Sequence, residues 1–164
     1  MNEEKLALFE ALKSTFLHID AHEKAMLDQF GLSLPRFYVL LHVHNNPGIN
    51  QVELTQLMLC TKGNVTRILQ GMEQEGLISR KGDPNDGRIT LVHLTRMGDV
   101  LLKNVYKAYE VLVEDLMGKF SDEEIKVFNK DLEIVQNTLD PKPQTEPRTN
   151  RGLVLVLEDQ GEEK

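Results

Sequence analysis

Cysteine and tryptophan are the residues that this sequence has least of: Cys60 is its one cysteine, and it has no tryptophan. A single cysteine excludes an intramolecular disulfide framework. No apolar run approaches the roughly 18 residues that a membrane-spanning helix needs, and no secretory signal opens the sequence. We therefore expect a cytoplasmic protein with no membrane partner.

Motifs of the common enzyme classes are missing as well. The sequence has no phosphate-binding P-loop, no glycine-rich dinucleotide turn, no serine-centred nucleophile elbow and no HExxH metalloprotease pair. We therefore expect no enzymatic activity, no catalytic residues and no cofactor. The 164 residues, 40% hydrophobic and 27% charged, suffice for one domain with a core, or for a small head on a helical layer.

The charge is unevenly distributed. A net charge of −7 opposes a protein that coats nucleic acid by bulk electrostatics. Residues 61–96, however, hold six lysines and arginines against four acids, whereas residues 97–140 hold five against ten. One end of the protein is therefore expected to be suited to DNA, with the acidic end facing away.

A short helix is predicted from about Gln51. Asn50 and Glu53 have the spacing of a capping box, in which each side chain binds a backbone N–H of the other residue. We expect the helix to close near Leu59 and Cys60. We also expect it to bury its apolar residues, Val52, Leu54 and Leu57.

A second helix is predicted from Thr61, as N-cap, through Glu75, with Gly76 as the residue that ends it. Its apolar residues recur at spacings of three and four and define one buried face: Val65, Ile68, Leu69 and Met72. The opposite face carries polar side chains of the types that contact base edges and phosphates: Lys62, Asn64, Thr66, Arg67 and Gln70.

A cationic hairpin is predicted next. Residues 77–81 and 89–94 have the pattern of two strands, and the turn-forming sequence DPNDGR joins them. Arg80, Lys81 and Arg88 make the hairpin basic, and Thr95 is the expected cap of the following helix. Two short helices and a basic hairpin in this order are typical of a winged helix-turn-helix, which places one helix in the DNA major groove.

The runs GLISR, DPNDGR and LTRMG closely resemble the MarR family of bacterial transcriptional regulators. The resemblance covers about residues 5 to 140. It implies a homodimeric DNA-binding repressor, less often an activator, whose grip on its operator is changed by a small ligand, a metal or thiol oxidation. It also places the recognition helix at residues 61–75 and the wing arginine at Arg88, with Asp86 as its orienting partner. Such an arginine enters the minor groove.

The fold class predicted is therefore mainly α with a small β-hairpin wing. The domain is expected over residues 1–140, with a reading head at about 48–96 and dimerisation helices at about 3–28 and 95–140. Residues 141–164 are expected to form a disordered tail. The apolar stripes of the outer helices have two interpretations: an intramolecular bundle, or helices that interlock across a two-fold axis. We favour the homodimer.

The resemblance also implies an effector pocket between the dimer helices and the reading head, where relatives bind phenolic or other apolar anions. The candidate lining residues are Phe16, Met26, Phe37 and Tyr38, although such residues at helical spacing are more often plain core.

Two other sensing chemistries stay open as alternatives. Cys60 precedes the recognition helix, whose N-terminus favours a thiolate, but buried packing is the usual role of a free cysteine. His18 and His22 are one helical turn apart, with His42 and His44 on the next helix, a spacing at which two imidazoles can share a metal. We expect neither. A winged helix that binds only proteins is a further alternative, disfavoured because the exposed helix face carries no apolar anchor.

Overall fold

The computed structural model describes residues 2–58 and 60–139, so the tail that we expected to be disordered lies outside the described residues. The described elements, in chain order, are α1 (Glu3–Asp28), α2 (Leu34–Asn45), β1 (Ile49–Asn50), α3 (Gln51–Leu57), α4 (Lys62–Gln74), β2 (Ile78–Gly82), β3 (Thr90–Leu94), α5 (Arg96–Met117) and α6 (Asp122–Leu139). The predicted fold class is confirmed. None of the described helices combines the length and the apolar character that crossing a bilayer requires.

Helix α2 lies at the centre of the core and packs against α1, α3, α4, α5 and β3. Half of its residues are buried, because it is covered on several sides rather than along one stripe. Phe37 and Leu40 of α2 are fully buried, as are Leu54 of α3 and Leu69 of α4. Helix α2 therefore forms the centre of a core that it shares with the predicted reading head and with α1 and α5.

The predicted helix starts are confirmed by their capping bonds. Asn50 and Glu53 form the reciprocal capping box of α3. The Thr61 hydroxyl accepts from the backbone N–H of Asn64 at 3.3 Å. Each cap satisfies backbone donors that a helix start leaves unpaired, so the boundaries are fixed by residues near in sequence.

Helix α3 departs from its prediction. It ends at Leu57 rather than near Cys60, and of its three apolar residues only Leu54 is buried; Val52 is 59% exposed and Leu57 46% exposed. Val52 lies two residues before Leu54, about 200° away around the helix, and therefore faces the opposite side. Leu57 is the last helical residue, where the chain turns away.

The sheet has a strand that the sequence did not predict. Its order is β1-β3-β2, with every pair antiparallel. Ile49 pairs with Val92, and Val92 pairs in turn with Arg80 of β2. A two-residue strand is too short to show the alternation of apolar and polar residues that predicts a strand, so only its pairing with β3 identifies it.

A tight junction joins the end of α4 to the start of α5. The Thr95 hydroxyl donates to the Gly76 carbonyl oxygen at 2.6 Å and accepts from the Gly98 backbone N–H at 3.1 Å. A Cβ atom on Gly98 would lie 2.0 Å from the Leu77 carbonyl oxygen, so no larger residue fits there. Helix α4 and the start of α5 are therefore expected to move together.

Candidate nucleic-acid interface

Helix α4 separates a buried apolar face from an outward polar face. Val65, Leu69 and Met72 are fully buried, and Ile68 packs partly buried against them. The predicted DNA-contacting side chains lie on the other side, where Thr61, Lys62, Arg67 and Gln70 are exposed and Asn64 and Thr66 are half-buried. The helix therefore presents donors and acceptors to solvent across its length.

Two of these predicted contacts also have intramolecular roles. The Thr66 hydroxyl donates to the Lys62 carbonyl oxygen at 2.8 Å and accepts from Gln51 Nε2 at 2.5 Å, which ties α3 to α4. The Asn64 side-chain oxygen accepts from the Arg67 guanidinium at 3.3 Å. Asn64 thus holds the Arg67 guanidinium on the outward face of α4.

The wing loop is organised by its own aspartates. The Asp83 carboxylate accepts from the backbone N–H groups of Asn85 and Asp86, and the Asp86 carboxylate accepts from that of Arg88 at 3.0 Å. The Arg88 side chain is 95% exposed, with its Nε 3.7 Å from the Asp86 carboxylate. The loop backbone is therefore ordered while the guanidinium extends into solvent.

Arg80 behaves differently from the other predicted wing cations. Its Nε and one terminal nitrogen donate to the Glu73 carboxylate at 2.9 and 2.5 Å, and its backbone N–H donates to the same group at 3.1 Å. These hydrogen bonds hold the pKa of Glu73 below its usual range. Arg80 therefore ties β2 to the recognition helix, whereas its neighbour Lys81 is exposed.

We predict that Arg80→Ala and Glu73→Ala both weaken operator binding, measured at high salt so that the charge each variant removes is screened, and that the double variant loses no more than the single variant with the larger loss. The pair orients the wing, so removing either partner removes the same contact, and unfolding measurements should show a loss of about 0.5 to 1 kcal/mol for such a pair. Because the pKa of Glu73 is depressed, this stability is present above its ordinary value of 4.5 and is lost as the pH falls below it.

Lys81→Ala is the matched control for a phosphate contact. It should flatten the dependence of affinity on salt concentration, whereas Glu73→Ala, which removes no cation, should leave that slope unchanged. Additive losses in the Arg80 and Glu73 double variant would contradict the positioning role.

Of the four predicted effector residues, Phe16 lies apart from the other three. Phe37 is fully buried, Met26 is 8% exposed and Tyr38 is half-buried, whereas Phe16 is 67% exposed and lies outside the core of the single chain. Phe37 packs against Tyr38 and Tyr109, with ring centroids 5.5 and 5.3 Å apart. Met26, Phe37 and Tyr38 thus lie in one layer that is buried or half-buried in the core.

Glu23 of α1 is a group in this region that sequence reasoning missed. It is 8% exposed, its carboxylate accepts from the Tyr38 hydroxyl at 3.4 Å, and Tyr109 is a second hydrogen-bond partner. Burial raises the pKa of Glu23. Burial and the nearby Glu23 carboxylate together raise the pKa of Tyr109 to about 12. Any small molecule that reaches this layer meets an acid and two phenols.

The cysteine and histidines considered as redox or metal sensors have surroundings that are common for such residues. Cys60 is half-buried and packs against the core. The His18 and His22 rings each bond a backbone carbonyl one turn earlier, at 2.7 Å, and His42 is buried, which lowers its pKa. Within residues 2–58 and 60–139, no three histidine, cysteine, aspartate or glutamate side chains are grouped to hold a metal.

Comparison with known proteins decides the family. The MarR family model matches residues 30–89. The Escherichia coli transcriptional regulator HosA is 33% identical over 97 residues, which are 59% of this chain and 72% of HosA. The chain belongs to the MarR family. The Bacillus subtilis regulator MhqR is 25% identical over 127 residues, which cover 77% of this chain and 88% of MhqR.

The fold of the family extends over nearly the whole described chain. The structure of Streptococcus pneumoniae FabT in complex with DNA superposes with a TM-score of 0.72 at 23% identity, covering 84% of this chain and 98% of FabT. The segment matched by the MarR family model runs from before α2 to the wing loop. It therefore contains the recognition helix and Arg88.

Proposed function

We propose that this chain is a repressor that binds a pseudo-palindromic operator as a homodimer in the cytoplasm. The observation that carries the proposal is that a MarR-family chain has both an outward polar face on α4 and an Arg88 side chain that is 95% exposed. A protein-binding face would carry aromatic or aliphatic anchors at these positions, and the outward face of α4 carries polar side chains instead.

The outer helices support the homodimer. No residue of α6 is buried, although its apolar residues follow helical spacing. Large apolar side chains are also exposed along α1 and near the end of α5, among them Leu8, Phe9, Leu17 and Val111. Exposed apolar side chains in this number are typical of helices that take part in a protein interface, and a second copy presents the same helices in return.

The recognition helix offers the direct test of DNA reading. We predict that Lys62→Ala, which removes a charge at the helix start, weakens binding to operator and random DNA alike and flattens the salt dependence. Arg67→Ala and Gln70→Ala should reduce operator binding preferentially, by roughly 1 to 3 kcal/mol each, because they lie where base edges are read. Titrations of both duplexes at several salt concentrations measure the difference. Equal losses on both duplexes for every variant would contradict sequence-specific reading.

We further propose that a small molecule at the junction of α1, α2 and α5 releases the operator. Helix α5 joins the dimer layer to the reading head through Thr95, so a change at the junction can alter the spacing of the two recognition helices. A difference in ligand affinity of about 1 to 3 kcal/mol between the two states is enough to shift the population.

We expect phenols to release the operator, because a phenol can donate a hydrogen bond to Glu23. Benzoates of the same size should release it less, because Glu23 repels their carboxylate. Glu23→Gln removes the repulsion and should narrow this difference. Operator binding is measured with both ligand series and, in parallel, with zinc or peroxide. Release by micromolar zinc that is lost in His22→Ala, or by peroxide that is lost in Cys60→Ser, would replace this effector with the corresponding sensor.

A further inference from the structure

A cavity of about 300 Å³ opens between the start of α2 and the recognition helix. Ser33 and Arg36 line it from the side of α2, and Asn64, Arg67 and Glu75 line it from the side of α4. The polar groups that line the cavity are thus two guanidinium groups, a hydroxyl, an amide and one carboxylate, and Pro35, Ile68 and Gly71 complete the lining. Guanidinium and hydroxyl donors match the geometry of an oxyanion, and phosphate is the oxyanion that a DNA-binding surface meets.

Arg36 has hydrogen-bonding capacity that the described residues leave unused. One of its terminal nitrogens donates to the Glu75 carboxylate, and its side chain is 23% exposed. Its Nε is buried and has no hydrogen-bond partner within the described part of the chain. A buried donor without an acceptor costs free energy, so a rearrangement of the Arg36 side chain that gives this nitrogen an oxyanion acceptor is favoured.

Ser33 is the N-cap residue of α2, but its side chain makes no capping hydrogen bond. Its hydroxyl is therefore available in the cavity. Arg67, on the opposite wall, belongs to the outward face of α4, so the cavity adjoins the surface that would enter the major groove. The backbone phosphates that flank a major groove lie beside a helix inserted in it.

We propose that this cavity binds one operator backbone phosphate per subunit, with Arg36 as its main cation and Ser33 as a second donor. The inference rests on the proposed DNA-binding function and extends its interface from α4 and the wing to the start of α2. Glu75 opposes the contact, because it holds Arg36 and repels the phosphate. Arg36 thus exchanges a carboxylate partner for a phosphate when DNA binds.

The two members of the pair should therefore have opposite effects. Arg36→Gln is expected to weaken binding to operator and random DNA by about tenfold, the scale of a charge-assisted hydrogen bond. It should also reduce the slope of log affinity against log salt by about 0.9 per subunit. Glu75→Gln keeps the shape and removes the negative charge, so it should strengthen binding to both duplexes. A pair that only stabilised the fold would weaken binding in both variants.

The phosphate itself can be found with operators in which single phosphates are replaced, one at a time, by uncharged methylphosphonates. With the unchanged protein, one position in each half-site should weaken binding. With Arg36→Gln, replacement at that position should cost nothing further, while other sensitive positions keep their effect. Lys119→Gln, which removes an exposed charge after the end of α5, should leave the whole profile unchanged.

Two further arms keep the outcomes distinct. If Arg36→Gln fails to fold, Arg36→Lys keeps the charge and should retain the sensitive position. If no position loses its effect in Arg36→Gln while phenyl phosphate competes with operator in an Arg36-dependent way, the cavity binds a free anion and the DNA contact is wrong. An unchanged protein that does not discriminate operator from random DNA would instead overturn the proposed function.

Discussion

Operator binding is expected to weaken by roughly 1 to 3 kcal/mol per subunit when Arg88 is replaced by alanine, the scale of a good groove contact. The Arg88 side chain is 95% exposed. It lies on a loop whose backbone is held by hydrogen bonds to the carboxylates of Asp83 and Asp86. Because the loop backbone is already ordered, the entropy lost is mainly that of the Arg88 side chain when it enters a narrow minor groove, where the phosphate potential is concentrated. Fluorescence anisotropy with labelled operator at matched salt measures the loss.

Two comparisons separate this contact from general electrostatics. Arg88→Lys keeps the charge but not the planar guanidinium, and it should recover part of the affinity. Lys119→Ala removes one positive charge outside the reading head and should change affinity little. Dimer formation should be the same in all these variants. An Arg88→Ala protein that binds operator as tightly as the unchanged protein would remove the wing from the mechanism.

A larger loss is expected from Phe128→Glu in α6. Phe128 is 56% exposed in the single chain and stacks with Phe120 at 6.3 Å between ring centroids. In the proposed dimer it would be covered, and burial of an unpaired carboxylate there costs several kcal/mol. The variant should be monomeric, and operator affinity should fall by about 100-fold or more, because the second head no longer binds at high effective concentration.

Sedimentation analysis and operator titration on the same samples test this expectation. Val52→Glu is the matched control, since Val52 is similarly exposed, at 59%, but lies on the reading head; it should leave the dimer intact. A Phe128→Glu protein that remains dimeric at low concentration would show that the exposed face of α6 does not form the interface.

The parts of the fold that local chemistry determines were predictable from the sequence. Asn50, Thr61 and Thr95 cap helices with side chains that bind backbone groups two or three residues away. Gly76 ends α4 with a φ of 71°, a conformation that other residues rarely adopt. The wing loop has the turn-forming sequence DPNDGR, and its aspartates accept hydrogen bonds from backbone N–H groups of the same loop. Each of these features is fixed by neighbours in the chain.

Contacts between distant segments were not predictable in the same way. Arg80 was expected to contact DNA, and only the folded chain shows Glu73 bound to it. Glu73 is one of four acids among residues 61–96, so the sequence alone does not identify which of them binds Arg80. Glu23 lies on a helix with acids at several positions, and only packing against Tyr38 distinguishes it. The buried positions of α3 were overestimated because so short a helix offers few residues to the core.

The central claim is that two recognition helices read one face of the duplex as a unit, and operator spacing tests it most directly. Half-sites read in successive major grooves lie about 10 base pairs apart, so inserting ~5 base pairs between them turns one half-site to the opposite face. The account predicts that this insertion reduces the affinity to that of a single half-site and that a further ~5 base pairs, a full turn in total, restore part of it. Affinity that survives the first insertion undiminished would contradict the account.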